Sequence, residues 1–268
     1  VTSASIAAPA RPTLPLSERT YIVTGAGGGI GGAVVARLLR VGSNVLGVDL
    51  SSRRLAATAA ATSGLPGTLR TAKVDVTTEA GVQQAVDSAI ADFGSVQGVA
   101  NVAGGMVGIN RDVYDTPLES FTLERWNQMY ALNVNSAFLM CRALEKHFIA
   151  QGYGKIVNVA SLAAFANRPE LGNAAYNSAK AAVVALTQSI SIQLGRQGIR
   201  ANCIAPGLVL SDRVKEWIDE GYRDRHLAYT ALGDLATPED LGEGIAFFLE
   251  PQSDGITGET LRVAAGVR

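Results

Sequence analysis

The sequence predicts a doubly wound α/β fold, a parallel sheet covered by helices on both faces in a single domain, and three observations carry that expectation. From Thr20 onward, short β-branched runs alternate with longer helix-like segments, the pattern of successive βαβ units. The 268 residues are 47% hydrophobic and 18% charged, a globular composition with length for one large core. No internal repeat or linker interrupts residues 18–268.

Taken in order, Tyr21–Val23 predicts a first buried strand and Ile30–Arg40 the helix behind it. Asn44–Val48 is the second strand, followed by a helix near Arg53–Thr62. Leu69–Val74 and a helix near Ala80–Phe93 continue the alternation. Val96–Val102 is the next strand, and the apolar spacing over Leu123–Ala150 predicts one long helix in which Trp126 and Phe138 join the core stripe. Lys155–Val159, a helix over Ala174–Leu194, Ile199–Ile204, a helix over Leu241–Leu249 and Leu261–Val263 complete the series. Residues 1–17 carry Pro9, Pro12 and Pro15 and lack a long apolar stretch behind a basic start. They read as an extended, flexible tail and not as a secretory signal.

Composition excludes several functions. Twenty-three basic residues against 24 acidic ones leave a net charge of −1, without the basic footprint of a nucleic-acid binder or an attraction to anionic lipid. No apolar run reaches the ~18 residues of a transmembrane helix. Cys141, Cys203, His147 and His226 lack metal-ligand spacing, so no metal is expected. His226 stands in a charged run and reads as solvated, and His147 as a cation near a helix C-terminus. Two cysteines suggest a reducing compartment, and a cytoplasmic location is the default expectation.

The first strand runs straight into Thr24-Gly25-Ala26-Gly27-Gly28-Gly29-Ile30-Gly31-Gly32. Glycines let a backbone turn tightly and approach a pyrophosphate, and the helix that starts at Ile30 offers free N–H groups to it. The strand before and the helix after are the context that gives such a loop meaning. Asp49 ends the second strand, next to uncharged Leu50. A carboxylate there accepts hydrogen bonds from ribose hydroxyls and repels a 2′-phosphate, which favours NAD over NADP. Arg53 and Arg54 lie close enough in sequence to offer a phosphate an alternative partner.

Tyr176 and Lys180 stand at i and i+4 on one helix face. A nearby ammonium favours a phenolate, so the pair can exchange a proton with an alcohol or a ketone. The ordered set Thr24–Gly31, Asn101-Val102-Ala103-Gly104, Asn133, Ser161, Tyr176, Lys180 and Pro206-Gly207 resembles the short-chain dehydrogenase/reductase family, in its ordinary branch of ~250 residues. The resemblance implies a Rossmann-type fold and an oxidoreductase that moves a hydride between NAD and a secondary alcohol or ketone. It implies Tyr176 as acid/base, Lys180 as its tuner and a binder of the nicotinamide ribose, Ser161 on the substrate oxygen, and Asn133 holding a water that links Lys180 to solvent. Gly25, Gly29, Ile30, Gly31, Asp49 and Leu50 would meet the adenosine and phosphate end. Asp75 and Val76 would line the adenine, and Asn101, Ala103 and Gly104 would flank the adenosine side. Pro206 and Gly207 would bind the cofactor as well, and Val209 and Ser211 after them would meet the nicotinamide carboxamide.

Three departures from the family pattern stand out: Val102 within N-N-A-G, Ser211 where threonine is common, and Val263-Ala264-Ala265-Gly266 in place of V-D-G-G. The last leaves open whether the tail touches the site. An NADPH-dependent carbonyl or 3-oxoacyl reductase is the alternative that Asp49 opposes. A non-catalytic dinucleotide-binding sensor is the alternative that the Ser161–Tyr176–Lys180 set opposes. The helices over Leu123–Ala150 and Ala174–Leu194 are expected to build a subunit interface, since Ala181–Leu186 is apolar nearly all round, and the resemblance implies that this interface builds a homotetramer. Residues 210–234 are expected to form a substrate lid, with Val214, Trp217, Ile218 and Gly221 on one face of an amphipathic helix. The loops Met106–Ser120, Leu162–Asn173 and Leu210–Asp234 would frame a small, largely apolar or aromatic substrate with Phe165, Trp217, Tyr222 and Tyr229. They carry no dense run of Arg or Lys.

Overall fold

A computed structural model describes residues 15–106, 118–165, 173–215 and 218–267. Seven parallel strands form one sheet in the order β3-β2-β1-β4-β5-β6-β7. They span β1 Thr20–Thr24, β2 Asn44–Asp49, β3 Thr68–Lys73, β4 Gly98–Asn101, β5 Gly154–Val159, β6 Ile199–Pro206 and β7 Thr260–Val263. The helices are α1 Gly29–Arg40, α2 Ser52–Ala61, α3 Glu79–Phe93, α4 Leu123–Tyr130, α5 Ser136–Gln151, α6 Ala174–Leu194, α7 Asp212–Lys215, α8 Glu220–Leu227 and α9 Pro238–Leu249.

Strand β1 is buried on both faces, which is why it reads as a continuous apolar run and not as an alternation. Tyr21 and Val23 point into one core layer with Val34 and Leu38 of α1 and Leu241 and Ile245 of α9. Ile22 points the other way, into a layer with Val82 and Val86 of α3 and Met140 and Leu144 of α5. The strand order reverses between β1 and β4, and in open α/β sheets ligands bind at that switch, beyond the carboxyl ends of the strands.

Four expectations need correction. The segment 123–150 is not one helix: α4 and α5 are joined by a π-helical turn, Ala131–Asn135. Asn133 sits in it and donates from Nδ2 to the Met129 carbonyl at 3.0 Å, an i−4 side-chain bond that competes with the helical ladder. Phe138 is 44% exposed, outside the core stripe, with the Arg142 guanidinium over its ring. His147 is no C-terminal cation, because α5 runs on to Gln151 and His147 Nε2 accepts the Val96 N–H at 3.1 Å. The helix expected through Val214 and Gly221 is broken, since Asp219 is extended and caps α8 by accepting the Tyr222 N–H. Trp217 lies outside the described residues, as do 1–14 of the expected tail. Leu16–Glu18 of that tail's junction is a short 3-10 turn, pinned where Ser43 Oγ donates to the Leu16 carbonyl. No described helix is long and apolar enough to cross a membrane.

Candidate active site

A cavity of about 1100 Å³ runs along the carboxyl edge of the sheet, from Asp75 and Val76 beyond β3 to Pro206 and Val209 beyond β6. Its floor at β1 is the glycine loop. Gly25 has φ +66°, and a Cβ on Gly31 would overlap the Gly25 carbonyl, so neither position tolerates a side chain. Gly28 caps α1 without a side-chain hydrogen bond, which leaves the first N–H groups of α1 facing an approaching anion. A Cβ on Gly29 would lie 2.8 Å from that of Ser211, so the loop after β6 closes directly over the phosphate cradle.

Asp49 is nearly buried at the end of β2, and its carboxylate is held in place. Oδ2 accepts the Gly27 N–H at 3.2 Å, and Oδ1 accepts the Ser51 N–H at 2.9 Å and Arg54 Nη2 at 2.8 Å. Arg54 itself is half exposed. Asp75 Oδ1 accepts from the backbone and hydroxyl of Thr77, which orients the turn carrying Val76 into the cavity.

The proton-handling side chains meet on the opposite stretch. Asn173 caps α6 by accepting the Tyr176 N–H at 2.8 Å, so Tyr176 sits in the first turn, where the helix dipole favours negative charge. Burial raises the Tyr176 phenol above its ordinary value, and the Ser161 hydroxyl draws it back down. Ser161 follows β5 and accepts the Ala163 N–H at 3.1 Å, which fixes the start of the turn Leu162–Phe165. Lys180 is buried, donates to the Val159 carbonyl at 2.9 Å and holds Nζ 5.7 Å from the Tyr176 ring centroid. Burial pushes its ammonium down to about 8.

Gly104 joins this group to Asn133. A Cβ there would stand 2.9 Å from Asn133 Oδ1 and 3.0 Å from Lys180 Nζ. Asn133 does not itself line the cavity. It grips Gly105 at both ends, with Oδ1 accepting the N–H and Nδ2 donating to the carbonyl, each at 2.9 Å.

Gly25, Gly29, Ile30, Gly31, Asp49, Leu50, Asp75, Val76, Ala103, Gly104, Pro206, Gly207, Val209 and Ser211 all line the cavity, with Ser161, Tyr176 and Lys180. Asn101 does not. It lies one layer below, where Nδ2 donates to Asn158 Oδ1 at 2.8 Å and Asn158 in turn donates to Thr187 Oγ1. That chain ties β4 to β5 and α6.

The tail does reach the site. Ala264 and Val267 line the cavity, and the Ala231 N–H donates to the Ala265 carbonyl. Phe165 does not line it and is covered by the Arg262 guanidinium, 4.5 Å from its ring centroid. His226, expected to be solvated, is in the wall with Tyr222, Arg225 and Tyr229. Their spacing of i, i+3, i+4 and i+7 is the signal that sequence reasoning missed, because it followed the apolar set beginning at Val214.

Residues 25–268 match the family model described as Enoyl-(Acyl carrier protein) reductase. The short-chain reductase protein NovJ of Streptomyces niveus is 33% identical over 255 residues, covering 93% of this chain and 94% of that one. A probable galactose dehydrogenase, GalD, of Rhizobium meliloti is also 33% identical, covering 94% and 96%. A solved 7α-hydroxysteroid dehydrogenase, complexed with NADH and an oxo bile acid conjugate, superposes with a TM-score of 0.85 at 26% identity, over 96% of this chain and 98% of that one. The ordered motifs, the seven-stranded parallel sheet and these likenesses together make the chain a member of the short-chain dehydrogenase/reductase family.

Proposed function

We propose that the protein is an NAD-dependent oxidoreductase that interconverts a secondary alcohol and a ketone. The observation that carries this reading is the convergence of Ser161, Tyr176 and Lys180 on the wall of the cavity whose floor is the glycine loop. The residues fit a dinucleotide: Gly25 and Gly31 allow a turn too tight for any Cβ, which lines the cavity with bare backbone, and the start of α1 opens onto it. Gly25–Gly31 would hold the pyrophosphate, Asp49 the adenosine ribose, and Lys180 the second ribose. The bound nicotinamide supplies the hydride acceptor for oxidation and the donor for reduction.

The chain's own residues handle the proton. In oxidation the Tyr176 phenolate takes the hydroxyl proton from the alcohol, and in reduction the phenol returns it to the carbonyl oxygen. The Ser161 hydroxyl donates to the same oxygen and holds it beside Tyr176. The Ser161 hydroxyl opposes the burial that disfavours the phenolate, and the Lys180 ammonium on the same helix would favour the charged form further. Asn133 keeps Gly104 and Gly105 seated beside Lys180 by its paired bonds to Gly105. Residues 210–234 would close the substrate end as a lid, and hydrogen exchange should show them gaining protection when cofactor and substrate bind together.

NAD is favoured over NADP because the Asp49 carboxylate, held at the end of β2, would repel a 2′-phosphate. The acid/base set argues against a sensor that only binds. A panel of secondary alcohols assayed with NAD and NADP tests the proposal. Turnover with NAD supports it, and a panel without turnover, or with preference for NADP, overturns the corresponding part.

A further inference from the structure

The segment 210–234 sorts its charges. Its described side chains include the acids Asp219, Glu220, Asp224 and Asp234 and the bases Lys215, Arg223 and Arg225, with His226 beside them. Lys215, Arg225 and His226 line the cavity, and none of those four acids does. Ten positions separate Lys215 from Arg225, and the fold brings both to the wall of one cavity. Helix α8 is the device. Asp219 caps its start, which uses an acid at the positive end of the helix dipole, and Tyr222, Arg225 and His226 then share the inward face. The Tyr222 and His226 rings lie 4.3 Å apart, and Arg225 stands 5.7 Å from the Tyr222 ring centroid. His226 Nδ1 is 2.9 Å from the Tyr222 carbonyl, which can only accept, so Nδ1 carries a proton and the ring is fixed in orientation. Glu239 is the one acid of the neighbouring α9 start in the wall. It follows Pro238, which approaches Gly29 of the phosphate loop.

The same wall also carries the apolar side chains of Leu162, Ala163, Leu210, Val214 and Val267, and Tyr176. We propose that the substrate is a ketone or secondary alcohol carrying a carboxylate at the end remote from the reacting carbon, with Lys215 and Arg225 receiving that carboxylate. The inference rests on the oxidoreductase reading for the position of the reacting carbon, and on the sorting of charge for the class of substrate. A guanidinium and an ammonium at the wall of a cavity bind a carboxylate through charge-assisted hydrogen bonds, and the apolar side chains of that wall accept an aliphatic or aromatic spacer.

The test compares 4-acetylbenzoate with 4-acetylbenzamide, which have the same shape and differ in charge. Each is titrated into the enzyme saturated with NADH, with NADH fluorescence as the binding signal and NADH consumption as a separate measure of turnover. The benzoate should bind at least about tenfold more tightly, the scale of one charge-assisted hydrogen bond. Arg225→Gln and Lys215→Gln should each remove most of that preference, and Arg223→Gln, on the outward face of the same helix, should keep it. Retained NADH affinity in each variant shows that the fold is intact. Equal binding of the two probes, binding of neither, or loss of preference in Arg223→Gln alone overturns the proposal. If Lys215→Gln and Arg225→Gln weaken NADH and both probes alike, the cations serve the phosphates of the cofactor and the proposal also fails. Preferential binding of the benzoate without turnover would leave the binding site standing and count against the reaction.

Discussion

Arg54 Nη2 stands 2.8 Å from Asp49 Oδ1 at the mouth of the cavity, so the carboxylate proposed to repel a 2′-phosphate also restrains a cation suited to bind one. Asp49→Ala removes the repulsion and releases Arg54 together. The variant should therefore gain NADP use, raising the NADP/NAD ratio of kcat/KM at least about tenfold. Asp49→Ala combined with Arg54→Ala should gain much less. Steady-state kinetics with both cofactors on the three proteins checks this, and an equal gain in the double variant would show that Arg54 has no part in it.

Gly104 separates Asn133 from Lys180 by the space of a hydrogen atom. A methyl there, 2.9 Å from one polar atom and 3.0 Å from the other, must displace both. Gly104→Ala should lower kcat by about 10²-fold, the scale of a small misplacement at a reacting centre. A thermal melt close to that of the parent, measured beside the rate, separates this effect from unfolding.

Lys180 carries the price of its position in its titration. Burial lowers it from 10.5 to about 8, so between those values the unfolded chain binds more protons than the folded one and stability rises with pH. Below pH 8 the buried ammonium costs the fold up to ~3 kcal/mol. Lys180→Met should abolish turnover yet raise Tm at pH 7, and the gain should shrink as pH climbs toward 10. A lower Tm at pH 7 would show that the bond to the Val159 carbonyl outweighs the burial.

The fold was legible because its signals are local. Buried parallel strands such as Tyr21–Val23 read as unbroken apolar runs, and the loop from Gly25 to Gly31 sits between a strand and a helix that declare themselves. What escaped depends on three dimensions. Asn133 falls within what the sequence predicts as one long helix, and only the π-helical turn shows its grip on Gly105. Asn101 lies in a cofactor motif by sequence but bonds inward to Asn158. His226 looked solvated because its neighbours Asp224 and Arg225 are charged, and the helix turns Asp224 away while bringing His226 and Arg225 into the wall.

The outer faces of α4, α5 and α6 leave Leu123 74%, Phe138 44% and Ile192 81% exposed. Apolar side chains of this size on adjoining helices suit burial against another copy. We expect a homotetramer, and sedimentation at micromolar concentration should give a mass near four times 27.9 kDa. A monomer at that concentration would refute it, and Phe138→Asp should shift the mass downward.

Tyr176 is the group on which the proposed chemistry depends, and Tyr176→Phe deletes its proton with little change in bulk. The most direct measurement is single-turnover hydride transfer from NADH to a ketone that the parent reduces, with NADH affinity determined on the same sample. A loss of about 10²–10⁴-fold in rate with NADH affinity nearly unchanged is the predicted result. A Phe variant that keeps most of the parent rate would contradict the assignment of Tyr176 as the acid/base.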